Sequence, residues 1–131
     1  MNGGKNWLRF AKEDLRIAEL AMDEGLHNQV CFHAQQCAEK SLKGWLAQHG
    51  EEIPRTHRLA DLLTLIPSGL LDTIASSLAL LDRFYILTRY PDAIPGTLAD
   101  GLPGQQDAQE AMDLARETIR IVEQDLQSGV T

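Results

Sequence analysis

Helical periodicity is the feature that most constrains how this chain can fold. Apolar residues recur at spacings of three and four almost from end to end, and the alternating β-branched runs typical of strands are absent. We therefore expect an all-α protein in which residues 1–131 form a single domain. The natural architecture is an up-and-down four-helix bundle with an additional short helix.

Stop and cap signals divide this pattern into five helices. We expect them over about residues 5–24, 28–49, 56–66, 68–88 and 105–127. Gly25 and Gly50 stop the first two helices, and Thr56 and Ser68 are suited to cap the third and fourth. Residues 89–104 are rich in proline and glycine, so we expect a long loop there.

The predicted fourth helix is apolar on two sides. Its main stripe is Leu70, Ile74, Leu78, Leu81 and Tyr85, and a second row is Leu80, Phe84 and Leu87. One monomer core rarely needs so wide a face, so we expect the second row to be the interface of a homodimer. The alternative is that the short third helix covers it.

Charge and cysteine usage limit the classes of function. The net charge of −7 excludes nonspecific binding of nucleic acid over a broad face, because that affinity depends on many phosphate contacts. Cys31 and Cys37 point in different directions on one helix, so we expect free buried thiols in a reducing cytoplasm. No apolar stretch approaches the roughly 20 residues that span a bilayer, so we expect a cytoplasmic protein without membrane contact.

The histidines and cysteines do not predict a metal site. His27 and Cys31 share one helix face and His33 and Cys37 another, but the two pairs diverge and no further cluster supplies ligands. We therefore expect no metal and no cofactor.

Two cationic segments predict a local phosphate site on this acidic chain. Helix two carries Gln36, Glu39, Lys40 and Lys43 opposite its apolar face, and Arg89-Tyr90-Pro91-Asp92 ends helix four. The residues expected to bind a nucleotide or phosphate are Arg89, Lys43, Lys40, Tyr90 and His57. Asp14 and Asp82 lie beside apolar stripes and are the carboxylates expected to orient the arginine. The alternatives are that these charges form structural salt bridges and that His57 only packs or caps.

The order and spacing of these motifs resemble the HEPN domain (higher eukaryotes and prokaryotes nucleotide-binding). The resemblance covers nearly the whole chain and is carried by Trp7 with Ala11, Asp14, Leu15 and Ala18; Cys31 to Lys40 with Leu42 and Lys43; Thr56-His57 with Leu59 and Leu62; and Tyr85 with Arg89-Tyr90-Pro91-Asp92.

This resemblance implies a helical bundle that usually dimerises and often acts with a small nucleotidyltransferase, encoded nearby or fused, as a toxin–antitoxin module. Many HEPN proteins are metal-independent ribonucleases in which an arginine is followed a few residues later by a catalytic histidine. This chain departs from that pattern, because Arg89 is followed by Tyr90 and Pro91 and no histidine comes after His57.

Three hypotheses follow. The leading one is a non-catalytic module, homodimeric, that binds a nucleotide or RNA and acts with a minimal nucleotidyltransferase. The second is a ribonuclease toxin that uses Arg89 with His57 or Tyr90 as proton carrier. The third is a purely structural interaction bundle, in which the row Leu80, Phe84 and Leu87 docks another protein.

Overall fold

The computed structural model describes residues 3–87 and 102–128, with side chains for all of these except 86 and 87. These ranges contain six helices and no strand, which confirms the all-α prediction. The helices are α1 (Gly3–Asp23), α2 (His27–Gln48), α3 (Leu59–Leu63), α4 (Ala75–Ala79), α5 (Asp82–Leu87) and α6 (Gln105–Ser128). None of the helices in this part of the chain combines the length and the apolar character needed to cross a membrane.

Helix α2 is the centre of the bundle. It packs along α1 on one side and α6 on another, and it also contacts α3 and α5. The core is built largely from small side chains of the long helices, including Ala11, Ala18, Ala34 and Ala38, each of them 0% exposed. Small residues let the helix axes approach closely, so a core poor in aromatic residues can still be dense.

The three long helices agree closely with the predicted spans. Helices α1 and α2 both end before a glycine in the left-handed region, Gly25 (φ 71°) and Gly50 (φ 72°), as predicted. After each glycine the chain closes the turn, with the Leu26 N–H donating to Ala21 O and the Glu51 N–H to Leu46 O, both at 2.9 Å. These bonds satisfy carbonyls that the helix itself leaves open.

The prediction of a long fourth helix over residues 68–88 is wrong. Two short helices, α4 and α5, occupy its second half, and residues 67–74 form turns. Gly69 has φ 99°, which a right-handed helix cannot contain, so Ser68 does not start one. Residues 3–87 and 102–128 therefore contain three long helices, α1, α2 and α6, and three short ones, α3, α4 and α5.

The start of the third helix also differs from the prediction. Helix α3 begins at Leu59, after an extended Arg58, and Thr56 is not its N-cap. The amides of Leu59 and Ala60 instead donate to the two carboxylate oxygens of Asp82, at 2.6 and 3.0 Å. A carboxylate far along the chain thus supplies the acceptor that local side chains usually provide.

The second apolar row is not continuous in the fold. Phe84 is 1% exposed and packs in the monomer's own core, whereas Leu80 is 60% exposed. Between α4 and α5 the backbone bonds run from residue i to i−3, including Leu81 N–H to Leu78 O and Phe84 N–H to Leu81 O. The helical wheel of one continuous α-helix therefore does not apply across this break. Assignment of Phe84 to an exposed interface is therefore wrong; Leu80 remains a candidate, and the side chain of Leu87 lies outside the described residues.

Candidate functional site

Glu39 is the centre of a buried polar cluster on α2. Its side chain is 4% exposed, and its Oε2 atom lies 2.9 Å from Lys43 Nζ and 3.3 Å from His57 Nδ1. Its Oε1 atom accepts a hydrogen bond from the Gln36 amide at 3.3 Å. One carboxylate thereby compensates a buried ammonium group, which would be costly if it were unpaired.

The burial of this cluster differs from the prediction. The pair formed by Glu39 and Lys43 has the expected (i, i+4) spacing, but the two side chains were expected on the solvent side of the helix. They are buried because α1 and the segment 53–57 cover them, with Lys43 Nζ 5.6 Å from the centre of the Trp7 ring. Because other segments cover both the apolar and the polar face of α2, the apolar pattern of this helix alone does not predict which of its polar residues are buried.

His57 is held in one orientation by two kinds of contact. A carboxylate oxygen only accepts hydrogen bonds, so the contact with Glu39 favours the tautomer with the proton on Nδ1 and leaves Nε2 as the outer nitrogen. The imidazole also stacks on the Tyr85 ring at 5.0 Å and 12°, and Tyr85 stacks on Phe32 at 5.9 Å. The His57 side chain remains 59% exposed, so its ring is both oriented and reachable.

Gln35 ties this histidine to α5. The residue is 0% exposed, and its Nε2 atom donates to His57 O at 2.8 Å and to Asp82 Oδ1 at 3.2 Å. Its Oε1 atom accepts from Gln36 at 2.7 Å. Asp82, through Gln35 and the start of α3, is therefore a positioning residue for the segment that carries His57.

Asp14 joins α1 to α2. Its carboxylate, 8% exposed, accepts from Lys40 Nζ at 2.6 Å and lies 2.8 Å from His33 Nδ1. The cationic partner of the Asp14 carboxylate is Lys40. Lys40 keeps a side chain 27% exposed, but its charge is balanced by Asp14.

Arg89 and Tyr90, the other predicted ligand-binding residues, lie outside the described residues. The prediction that Asp14 or Asp82 orients Arg89 stays a prediction. Within the part of the chain that the structure describes, the structure brings Lys43 and His57 together around Glu39, and it places Lys40 on the separate contact with Asp14.

A cleft opens beside the Glu39 cluster. It has a volume of about 400 Å³ and lies between Trp7 of α1, Lys43 of α2 and the segment 53–57. Arg55 is exposed at this cleft, and within residues 3–87 and 102–128 it forms no ion pair. The cleft therefore offers an uncompensated guanidinium next to an aromatic side chain.

A larger cleft, about 530 Å³, follows the outer face of α1 and is also basic. Three of its cations are paired with carboxylates: Arg9 with Glu13 at 3.7 Å, Lys12 with Glu123 at 2.6 Å and Arg16 with Glu19 at 3.4 Å. Exposed pairs of this kind are typical of a solvated helix face. The smaller cleft is the better candidate because it adjoins buried and oriented polar groups.

The two cysteines are unreactive as nucleophiles. Both are free and buried, as predicted. Burial raises the pKa of Cys31 and Cys37 from 9.0 to about 12, with Asp107 and Asp14 respectively adding to the effect. Thiols with so high a pKa are poor nucleophiles. Among the described residues, no three His, Cys, Asp or Glu side chains are grouped closely enough to hold a metal ion.

Three residues of this region were not selected from the sequence. Gln35 has a detectable signal, since a glutamine beside the apolar stripe of α2 must find buried partners. Trp7 was assigned only to the core stripe of α1 and not to a ligand site, although it also lines the cleft. Arg55 gives no signal, because it lies in a segment without periodicity whose position depends on the tertiary fold.

Comparison with protein families gives a match over most of the chain. The model described as "HEPN domain" matches residues 5–125. One similar protein is "Putative toxin MJ1304" of Methanocaldococcus jannaschii, which is 25% identical over 130 residues, covering 90% of this chain and 84% of that protein.

Two solved structures share the fold. TT1696 from Thermus thermophilus has a TM-score of 0.82 and 34% identity, covering 95% of this chain and 98% of its own. ST0689, described as an archaeal HEPN homologue, has a TM-score of 0.73 and 33% identity, covering 96% of this chain and 99% of its own.

Proposed function

Because this chain belongs to the HEPN domain family, we propose that it is the HEPN component of a toxin–antitoxin-like system. In this role it binds a nucleotide or RNA without cleaving it and acts with a minimal nucleotidyltransferase partner. The similarity to a protein named as a putative toxin supports the toxin–antitoxin assignment. The missing histidine after Arg89 supports a binding role over a catalytic one.

The observation that carries the binding role is the set of basic side chains that line one cleft. Lys43, Arg55 and His57 line it on a chain whose net charge is −7. Phosphate groups are bound by charge-assisted hydrogen bonds from such side chains. In the proposal Arg89 makes the main phosphate contact, Lys43 adds a donor, and His57 donates from Nε2 when its imidazole is protonated on both nitrogens. Lys40 has a secondary role and Tyr90 stacks on a base.

We propose that the protein forms a homodimer. Leu80 is the exposed apolar residue of the described part of the predicted row and is the one we assign to the subunit interface. An exposed large apolar side chain is ordinary when it stands alone. Replacement of Leu80 by serine tests this assignment through the assembly state of the protein.

Calorimetric titration tests the binding role. Purified protein is titrated with nucleotides and with short RNA, and Arg89→Ala is compared with Arg9→Ala, a control that removes an exposed arginine of α1. We expect binding that Arg89→Ala weakens about tenfold or more, as loss of a charge-assisted contact predicts, and that Arg9→Ala leaves nearly unchanged. Absence of binding by wild-type protein removes the role. Co-purification with the nucleotidyltransferase encoded in an adjacent reading frame tests the partner separately.

A second candidate function is a metal-independent ribonuclease. The orientation of His57 favours it, because a buried carboxylate on Nδ1 and a side chain that is otherwise accessible to solvent are the arrangement that a general acid or base needs. RNA cleavage is measured with chelator present, in wild type, His57→Gln and the control His49→Gln, which changes an exposed histidine at the end of α2. Cleavage lost only in His57→Gln supports this function, and inert wild-type protein with and without metal contradicts it.

A further inference from the structure

The cleft beside Lys43 is lined by two chemically different kinds of side chain. Trp7, Ile53 and Pro54 are apolar, and Trp7 is aromatic. Lys43 and Arg55 form a cationic lining, and His57 adds an imidazole. A site that combines apolar and aromatic surface with several hydrogen-bond donors fits a ligand that has both an aromatic ring and an anionic group.

The donors of the cationic lining are not all used within the protein. An ammonium group has three N–H bonds. In the described residues, Lys43 Nζ donates to Glu39 at 2.9 Å and has the Trp7 ring 5.6 Å away. Arg55 is exposed and has no ion pair in these residues. An anion in the cleft can therefore accept from Arg55 and Lys43 without displacing the contact of Lys43 with Glu39.

We propose that this cleft binds a single phosphate-bearing nucleotide unit. The base lies against Trp7 and Pro54, and the phosphate accepts hydrogen bonds from Arg55 and Lys43. This inference rests on the proposed nucleotide- or RNA-binding function and locates one subsite of it. The unit is either a free mononucleotide or the 5′-phosphorylated terminal nucleotide of an RNA.

The cleft is large enough for one nucleotide unit. Its volume of about 400 Å³ is near the lower end of the roughly 300–1,000 Å³ found for small-molecule sites. Base stacking on an aromatic side chain tolerates any base, because every base has a π-face. We therefore expect weak preference among bases and strong dependence on the phosphate.

The experiment compares two neighbouring arginines. Arg55 lies at the cleft, whereas Arg58 is exposed three residues later, does not line the cleft, and has no ion pair within the described residues. AMP, adenosine, inorganic phosphate, and one short RNA with and without a 5′-phosphate are titrated into wild type, Arg55→Gln and Arg58→Gln. Thermal unfolding verifies that each variant is folded.

The indole N–H signals in a ¹H–¹⁵N spectrum report the place of binding. Trp7 lines the cleft, but Trp45 is 7% exposed and donates to Asp125 of α6 at 2.8 Å. AMP in the cleft should move the Trp7 signal and leave that of Trp45 almost unchanged. This readout uses wild-type protein, so it does not depend on the folding of a variant.

We expect AMP to bind, adenosine to bind much more weakly, and Arg55→Gln to weaken AMP about tenfold while Arg58→Gln changes it by less than about twofold. Tighter binding of the 5′-phosphorylated RNA than of AMP identifies an RNA end as the ligand, and equal binding identifies a free mononucleotide.

Three outcomes overturn the inference. If Arg55→Gln and Arg58→Gln weaken AMP binding equally, AMP is attracted by the general positive charge of this surface and does not occupy a specific site. Binding that Arg89→Ala abolishes, with Arg55→Gln and the Trp7 signal unaffected, removes the cleft but keeps the proposed function. No binding of any probe by folded wild type removes both.

Discussion

The Nζ atom of Lys43 lies 2.9 Å from Oε2 of Glu39, and both side chains are at least nine-tenths buried. A buried ion pair adds little net stability compared with apolar residues, but removing one partner leaves a buried charge uncompensated. The pair is therefore most sensitive to a change that removes only one of its charges.

Glu39→Gln should lower the free energy of unfolding by about 3 kcal/mol, because Lys43 loses its buried counter-charge. Urea unfolding measures the change. Glu13→Gln is the matched control, since Glu13 is 59% exposed and pairs with Arg9 at 3.7 Å; it should change stability by less than about 0.5 kcal/mol. Similar values for the two variants would show that burial does not govern this pair.

Asp82→Asn should destabilise the protein by about 1–2 kcal/mol, as loss of a helix cap does. The neutral amide accepts on one atom only, whereas the carboxylate accepts from both the Leu59 and Ala60 amides. Amide exchange at these two positions should accelerate more than in the rest of the core. Asp72→Asn, at an exposed aspartate, is the control. Unchanged exchange at residues 59 and 60 would contradict the capping role.

Phe84 and Leu80 should respond in opposite ways. Phe84→Ala should cost about 3–5 kcal/mol of stability, because it leaves a cavity in the monomer core. Leu80→Ser should leave stability within about 0.5 kcal/mol but shift the protein toward monomer in sedimentation experiments. An unchanged assembly state in Leu80→Ser would remove Leu80 from the interface.

Stability should fall with rising pH above 9. The unfolded thiols ionise near pH 9.0, whereas burial raises the pKa of Cys31 and Cys37 and keeps them protonated to about pH 12. The unfolded state then binds fewer protons than the folded state, so each thiol lowers the free energy of unfolding by about 1.4 kcal/mol per pH unit in this window. Below pH 9 this contribution to stability is fully present.

The double variant Cys31→Ala/Cys37→Ala isolates this effect from other groups that titrate at alkaline pH. Urea unfolding between pH 8 and 11 should give a steeper loss in wild type than in the double variant. Parallel pH profiles would show that the thiols do not cause the loss.

The spans of the three long helices could be predicted from local sequence patterns. The ends of α1 and α2 follow from Gly25 and Gly50, and the span of α6 follows from its clean stripe of apolar residues. Family membership was also predictable from the order of the motifs. These features depend on residues that are close together in the sequence, so they can be predicted from one sequence alone.

Features set by distant contacts were not predictable in the same way. The cap of α3 comes from Asp82, and Glu39 is buried by the segment that carries His57. Phe84 is buried because the expected fourth helix is broken into α4 and α5. In each case a partner more than fifteen residues away or a break in a helix decides the environment, and helical periodicity shows neither.

Asp82 is separated from Leu59 by 23 residues, and this separation has a consequence for the order in which the protein forms during synthesis. During translation, all residues of α1 and α2 are synthesised before Asp82, whose carboxylate accepts the hydrogen bonds of the first turn of α3. The segment that carries His57 can take its final position only after residue 82 has emerged, so a nascent chain cut short before that point would have the two long helices without the finished cleft.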